Sequence, residues 1–329
     1  MKTLKELLIE LETNKENIKR WLIRNLLGYG EITIMYAKLG SLKTGVAIKM
    51  AMEVATGGQE LGHSLSGNVY YCSLDTPKIE MLFRQKALME NRYQDHLEEI
   101  GSNLTIDWDE LNLTKDYWDY ETDPESPFTW YEFGEALHSD GVKLLIVDTL
   151  SKALVGAGVN DDAVIRKVIS NLRKIIKGAE DNLSILVIHH SGKNLSKGMM
   201  GTSILANDIS TVLKINKTKA GFNLIREKHK SSYEGKSIPF KARAVVYPYE
   251  NESFEAVYVD IGSGLDQVNA EIVNQYQKGF SKEETKEIIA KLGYGNWKSD
   301  KSFQVSFNKR WNNLVDKGFI DTGKQGNQT

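Results

Sequence analysis

The 329-residue sequence predicts an α/β protein with a mostly parallel central sheet, followed by a small helical domain. Three observations carry this. Through residues 30–262 short apolar segments alternate with longer segments of helical period, the pattern of strands covered on both faces. After the joint Gly262-Ser263-Gly264 the pattern becomes helical. The length is enough for one large domain with a substantial core plus an appendage.

The elements follow in order. Residues 1–20 place Leu4, Leu7, Leu8 and Leu11 at helical spacing among Lys and Glu, an amphipathic helix whose stripe packs on its own domain or on a neighbouring subunit. Residues 21–262 form the large domain, with strands expected at 31–36, 68–74, 143–148, 184–189 and 211–216 and an antiparallel run from 222 onward. Helices follow the first four strands. Residues 107–130 are acidic and aromatic, broken by Pro124 and Pro127, and read as a solvated surface insertion with a few buried rings or as a partner-docking site. Residues 266–329 read as helix, turn, helix and a longer helix over about 299–317. No internal repeat is present.

Composition narrows the function. A net charge of −2 argues against wholesale polyanion binding, so any nucleic-acid contact must come from local basic loops or the small domain. The single cysteine, Cys72, can form neither an internal disulfide nor a zinc cage, which suits a reducing cytoplasm. No stretch is long and apolar enough to span a bilayer.

The segment "IMYAKLGSLKTGVAIKMA", from Ile34, runs strand, loop, helix in the order of a phosphate-binding loop. Ala37, Lys38, Leu39, Gly40, Ser41 and Leu42 form the loop, and Lys43 and Thr44 open the helix. Such a loop holds phosphate by backbone N–H groups and the positive helix end, by an ammonium, and by a hydroxyl on Mg²⁺. Leu42 stands where glycine is usual, and its side chain would crowd the phosphate unless it points away. "KLLIVDTLSKAL" ends an apolar strand on Asp148, where a carboxylate is costly without a cation or donors. That residue is either a carboxylate for the Mg²⁺ shell or a helix N-cap.

These segments, with "VYYCSLDTPKIEMLFRQKAL" and "ILVIHHSGKNLSKGMMGTSILANDISTVLKI", resemble the RepA-like group of RecA-fold P-loop ATPases, relatives of hexameric replicative helicases. The resemblance covers roughly Trp21 to Phe240 and implies ATP and Mg²⁺ as cofactors, held by residues 37–44 and Asp148, with Thr44 and Asp148 on the metal. It assigns Asp75, where glutamate is usual, to the attacking water, and His190 to sensing the γ-phosphate. It puts Lys228 and Lys230 where a basic finger crosses the subunit interface, with lysine lacking arginine's planar fork. Arg84 matches a further basic position, explained equally by solvation.

Two loops at the carboxyl ends of strands, residues 150–160 with Lys152 and residues 191–200 with Lys193 and Lys197, suit contact with single-stranded DNA through charge alone. The tail is similar to a winged helix whose Lys298, Lys301, Lys309 and Arg310 meet phosphates. The expected function is a hexameric, ATP-driven motor on single-stranded DNA in replication or recombination. The alternative is a nucleotide-regulated or hydrolysis-deficient DNA-binding or loading factor.

Overall fold

The computed structural model describes residues 21–109, 111–118, 128–191, 203–218, 221–229, 237–249 and 252–261, together with 3, 6, 272, 275–276, 280–291, 300–316 and 320. Of the helix expected over residues 1–20 only Thr3 and Glu6 are among them, and Lys193, Lys197, Lys230 and Lys298 lie outside them. Two compact units are present, Met1–Ile261 and Gly262–Thr329.

The first unit opens with a small antiparallel pair, β1 (Trp21–Ile23) and β2 (Leu27–Gly28). Then come β3 (Ile32–Ala37), α1 (Lys43–Thr56), β4 (Asn68–Ser73), α2 (Lys78–Arg92), α3 (Leu97–Asn103) and β5 (Leu104–Asp107). A short pair, β6 (Tyr117–Trp118) and β7 (Phe128–Thr129), leads into α4 (Trp130–Ser139), which a reciprocal capping box between Thr129 and Glu132 starts. There follow β8 (Val142–Asp148), α5 (Leu150–Ala153), α6 (Asp162–Gly178), β9 (Ser184–His190) and α7 (Ser203–Asp208). The strands β10 (Thr211–Thr218), β11 (Gly221–His229), β12 (Ser237–Tyr249) and β13 (Glu252–Asp260) complete it.

One nine-stranded sheet runs in the order β13-β12-β11-β10-β3-β9-β8-β4-β5. From β10 to β5 every pairing is parallel, and from β10 to β13 every pairing is antiparallel. This is a RecA-like mixed α/β core. The period of two divides each central strand between two hydrophobic cores. Met35, Tyr71, Leu144, Ile146, Leu186 and Ile188 join the core that holds α1, whereas Ile34, Tyr36, Leu145, Val147, Ile185 and Val187 join the core that holds α6. Burial on both sides is why these strands read as continuous apolar runs.

Two features differ from the sequence expectation. In residues 107–130 Trp130 is a buried ring, as expected, but the described part is more than a surface excursion: Asp107 ends an edge strand of the sheet, Leu111 and Leu113 are buried in the α6-side core, and Trp130 starts α4. Its indole N–H donates to the Lys115 carbonyl at 3.0 Å, and buried Asn171 donates to the Leu113 and Lys115 carbonyls at 2.9 and 2.7 Å. Secondly, α1 carries a buried charge web. Lys49 and Glu53 are fully enclosed 3.2 Å apart, and the Tyr93 hydroxyl lies between them, 2.7 Å from the ammonium and donating to the carboxylate at 2.6 Å. Glu60 joins both Lys49 and Arg92, so the web ties α1 to the end of α2. Every charge in it has a partner, the condition under which buried ions are tolerated.

The helix pair α4 and α6 packs backbone to backbone. A Cβ at Gly178 would lie 2.0 Å from the Tyr131 carbonyl oxygen, and one at Gly134 would lie 2.1 Å from that of Ile175. Only glycine fits at either place.

The second unit contains α8 (Lys282–Lys291) and α9 (Asp300–Asp316) around Ile272, Ile289, Phe303, Phe307, Trp311, Leu314 and Ile320. Ser281 and Glu284 bond reciprocally at the start of α8, another capping box. No helix among the described residues is long and apolar enough to cross a membrane.

Candidate active site

The site forms where β3, β8, β4 and β9 end at their carboxyl edge, the usual position for ligands on parallel sheets. The loop after β3 leads into the 14-residue helix α1, whose first turn carries no acidic side chain and so leaves its positive end open to an anion. Gly40 and Leu42 both adopt the left-handed conformation, with φ of 73° and 62°. Leucine rarely does so, at a cost of roughly 1–2 kcal/mol. The Leu42 side chain packs against the α1-side core instead of facing the loop. The backbone that glycine would supply is therefore kept, with the side chain turned inward. Within the loop the Ser41 N–H donates to the Lys38 carbonyl at 3.2 Å, Ser41 is buried, and Leu39 is 87% exposed.

Lys43 is 7% exposed, and its ammonium donates to the loop carbonyls of Ala37 and Lys38 at 3.4 and 3.2 Å. Burial lowers its pKa, against the pull of the Asp148 and Asp75 carboxylates. Asp148 ends β8 on the α1 face and is 1% exposed. The next helix is capped at Thr149, so Asp148 stands one residue before the N-cap of α5. Burial raises its pKa, while hydrogen bonding from the Tyr71 and Thr44 hydroxyls lowers it. Tyr71 donates to Oδ2 at 2.8 Å, whereas Oδ1 is enclosed without a formed hydrogen bond.

His190 ends β9 directly beside Ala37 in the parallel register, and the Ser191 N–H donates to the Ala37 carbonyl at 2.9 Å. Burial and then the Lys43 charge lower its pKa, against Asp75, so the imidazole is neutral at pH 7 and able to donate from one nitrogen and accept at the other. Lys43, Asp75, Asp148 and His190 thus share one electrostatic neighbourhood.

Asp75 has a further partner within that neighbourhood, and the remaining candidates fall elsewhere. Asp75, 39% exposed at the side chain, is ion-paired at 3.4 Å with Lys152, which brings a residue expected on DNA against the residue expected on water. Lys228 donates to the Asn207 carbonyl at 3.1 Å, near the end of α7. Arg84 is bound to Glu80 one turn earlier on α2. In the second unit Lys309 and Arg310 line an open groove of about 650 Å³ along α9 with Ser306, Asn312, Asn313 and Asp316. Tyr71 is a participant that the sequence reading did not single out; a tyrosine in the strand before Asp75 was the available signal.

The implied ATP and Mg²⁺ fit this donor set. Among the described residues no group of three or more His, Cys, Asp or Glu side chains could hold a metal by itself. Thr44 and the spare Oδ1 of Asp148 are hard oxygen donors, suited to a Mg²⁺ that shares its ligands with phosphate.

A comparison with curated proteins finds no match. A family comparison matches residues 3–196 to an AAA domain (AAA_25), a span that takes in the loop, Asp75, Asp148 and His190 and stops before Lys228. The chain belongs to this AAA domain family of P-loop ATPases.

Proposed function

We propose that the protein is an ATP-hydrolysing motor acting on single-stranded DNA in replication or recombination, assembled as a hexameric ring in the cytoplasm. The observation that carries the reading is the convergence of Lys43, Thr44, Asp148, Asp75 and His190 at one end of the parallel strands. When bound, Mg²⁺ and ATP supply the reactive γ-phosphoryl group and the metal charge that offsets its oxygens. Lys43 leaves the carbonyls of Ala37 and Lys38 for the β and γ oxygens, and Thr44 and Asp148 hold the metal side. Asp75 takes the proton of the attacking water as its oxygen bonds to the γ-phosphorus and the bond to ADP breaks. His190, neutral and beside the loop, reports the γ-phosphate to the segment that follows it. In the ring, Lys228 and Lys230 reach a neighbour's phosphates, Lys228 leaving the Asn207 carbonyl to do so.

DNA contact is assigned to Lys152 on α5, to Lys193 and Lys197, and to Lys309 and Arg310 on α9 of a winged-helix-like unit. The exposure of Lys309 and the groove along α9 support the second assignment. The Asp75–Lys152 ion pair favours a second reading, a nucleotide-regulated loading factor that hydrolyses poorly because its water-activating carboxylate is occupied. An ATPase assay on the purified chain with and without single-stranded DNA separates the two. Turnover stimulated by DNA supports the motor; nucleotide binding without turnover supports the loading factor.

A further inference from the structure

The strands beside Asp148 hold two polar groups that no role above uses. Tyr71 and Ser73 stand two residues apart on β4, hence on one face, and Ser73 is the in-register partner of Asp148 on β8. In a parallel pair, register partners point to the same side, so Tyr71, Ser73 and Asp148 all face α1 and Thr44. Tyr71 is fully buried, and its hydroxyl spends its proton on Oδ2 of Asp148 at 2.8 Å. Ser73 is 3% exposed, and its hydroxyl has no hydrogen-bond partner among the described residues. Oδ1 of Asp148 shares that condition.

Leaving either atom unsatisfied in a packed interior is unfavourable by about 1–3 kcal/mol. Two such atoms on adjacent strands, on one face and beneath the phosphate loop, mark a place built to receive a polar guest. The carboxylate geometry defines the guest further. With Oδ2 already accepting from the Tyr71 hydroxyl, Oδ1 is the oxygen without a formed hydrogen bond, and the carboxylate's orientation is fixed by the Tyr71 ring, which is locked in the core. A serine hydroxyl beside a single free carboxylate oxygen suits a water bound to a divalent cation: the carboxylate accepts from that water and the hydroxyl bonds it again.

We infer that Tyr71 and Ser73 are positioning residues for the metal that accompanies the nucleotide: Tyr71 fixes which oxygen of Asp148 is presented, and Ser73 holds a water of the metal's shell. The inference rests on the P-loop ATPase reading. It goes beyond that reading by placing selectivity for the metal-loaded nucleotide on β4, outside the loop.

The test is calorimetric titration of the full chain with ADP, with and without Mg²⁺, and electron paramagnetic resonance of Mn²⁺ in its place. The variants are Tyr71→Phe, Ser73→Ala and Ser73→Thr. Tyr71→Phe and Ser73→Ala are each expected to reduce the metal-dependent gain in ADP affinity about tenfold, with metal-free affinity unchanged. Ser73→Thr, which keeps the hydroxyl, retains the gain, and the Mn²⁺ spectrum broadens in Tyr71→Phe. If Tyr71→Phe fails to fold, the two serine variants decide alone. A parent-like metal gain in Tyr71→Phe and Ser73→Ala overturns the inference and leaves the ATPase reading standing, as does equal loss with and without metal. A parent that binds no nucleotide under either condition overturns both.

Discussion

Leu42→Gly tests whether the unusual leucine impairs the phosphate loop. The leucine occupies a left-handed conformation at φ 62° and ψ 28°, which costs roughly 1–2 kcal/mol for a residue with a Cβ and nothing for glycine. Against that relief, truncation exposes the core surface that the half-buried side chain covers. Full burial of a leucine stabilises by about 1.5–3 kcal/mol, so half of it is on the order of 1 kcal/mol. Glycine also loses about 0.5–1 kcal/mol more chain entropy on folding. These contributions cancel to within about 1 kcal/mol, which limits the melting-temperature change to about 3 °C in a unit of this size. Because the side chain packs into the core, removing it should also leave Mg²⁺·ATP affinity within about threefold of the parent, less than 0.7 kcal/mol. Thermal melting and calorimetric titration on both proteins read the two quantities. Tightening of tenfold or more in the glycine variant would mean that the leucine crowds the phosphate, and the inward orientation would be the wrong basis for the site.

Four further outcomes are expected. Lys43→Ala should lower steady-state hydrolysis on the order of a hundredfold or more, about 3 kcal/mol, with melting close to the parent, since the ammonium serves the phosphates and is itself desolvated. Asp148→Asn should abolish hydrolysis yet stabilise the nucleotide-free protein: burial raises the folded pKa of Asp148, so the carboxylate's penalty is relieved at acid pH and grows as pH rises from about 4 through the folded value. Denaturant titrations at several pH values should therefore show the variant's advantage widening with pH, and a constant advantage would contradict the assignment. Gly178→Ala should destabilise by about 3 kcal/mol, read as a fall of roughly 6–12 °C, because the added carbon meets a backbone oxygen at 2.0 Å. Lys152→Gln should change stability by no more than about 1 kcal/mol, as expected for an exposed ion pair, while DNA stimulation of turnover falls; unchanged stimulation would remove Lys152 from the DNA path.

The parts legible in the sequence were those written in local pattern. Apolar runs buried on both faces announced β3, β4, β8 and β9, and a carboxylate ending such a run announced Asp148. What depended on register was not legible. Nothing local says that Ser73 lies opposite Asp148, or that Tyr71 reaches it, because parallel partners are fixed by how two distant strands slide against each other. The Asp75–Lys152 pair is of the same kind. β5 was hidden because its four residues, Leu104–Asp107, run straight into an acidic stretch. Lys49 looked like an ordinary charge on a helix; only the return of Tyr93 and Glu60 over α1 makes it interior.

The contact between Gly45 and Val259 bears on how the protein is made. A Cβ at Gly45 would come within 2.8 Å of Val259, so β13 presses on the first turn of α1 immediately beyond Lys43 and Thr44. The phosphate loop emerges early in synthesis, whereas the strand that braces its helix emerges only when the large unit is nearly complete. Contacts so distant along the chain form late and slow folding. A nascent or truncated chain ending before β13 would display every recognisable motif and still lack the seat for its helix. Nucleotide affinity would then act as a checkpoint for a finished core, withheld from fragments that carry the right letters.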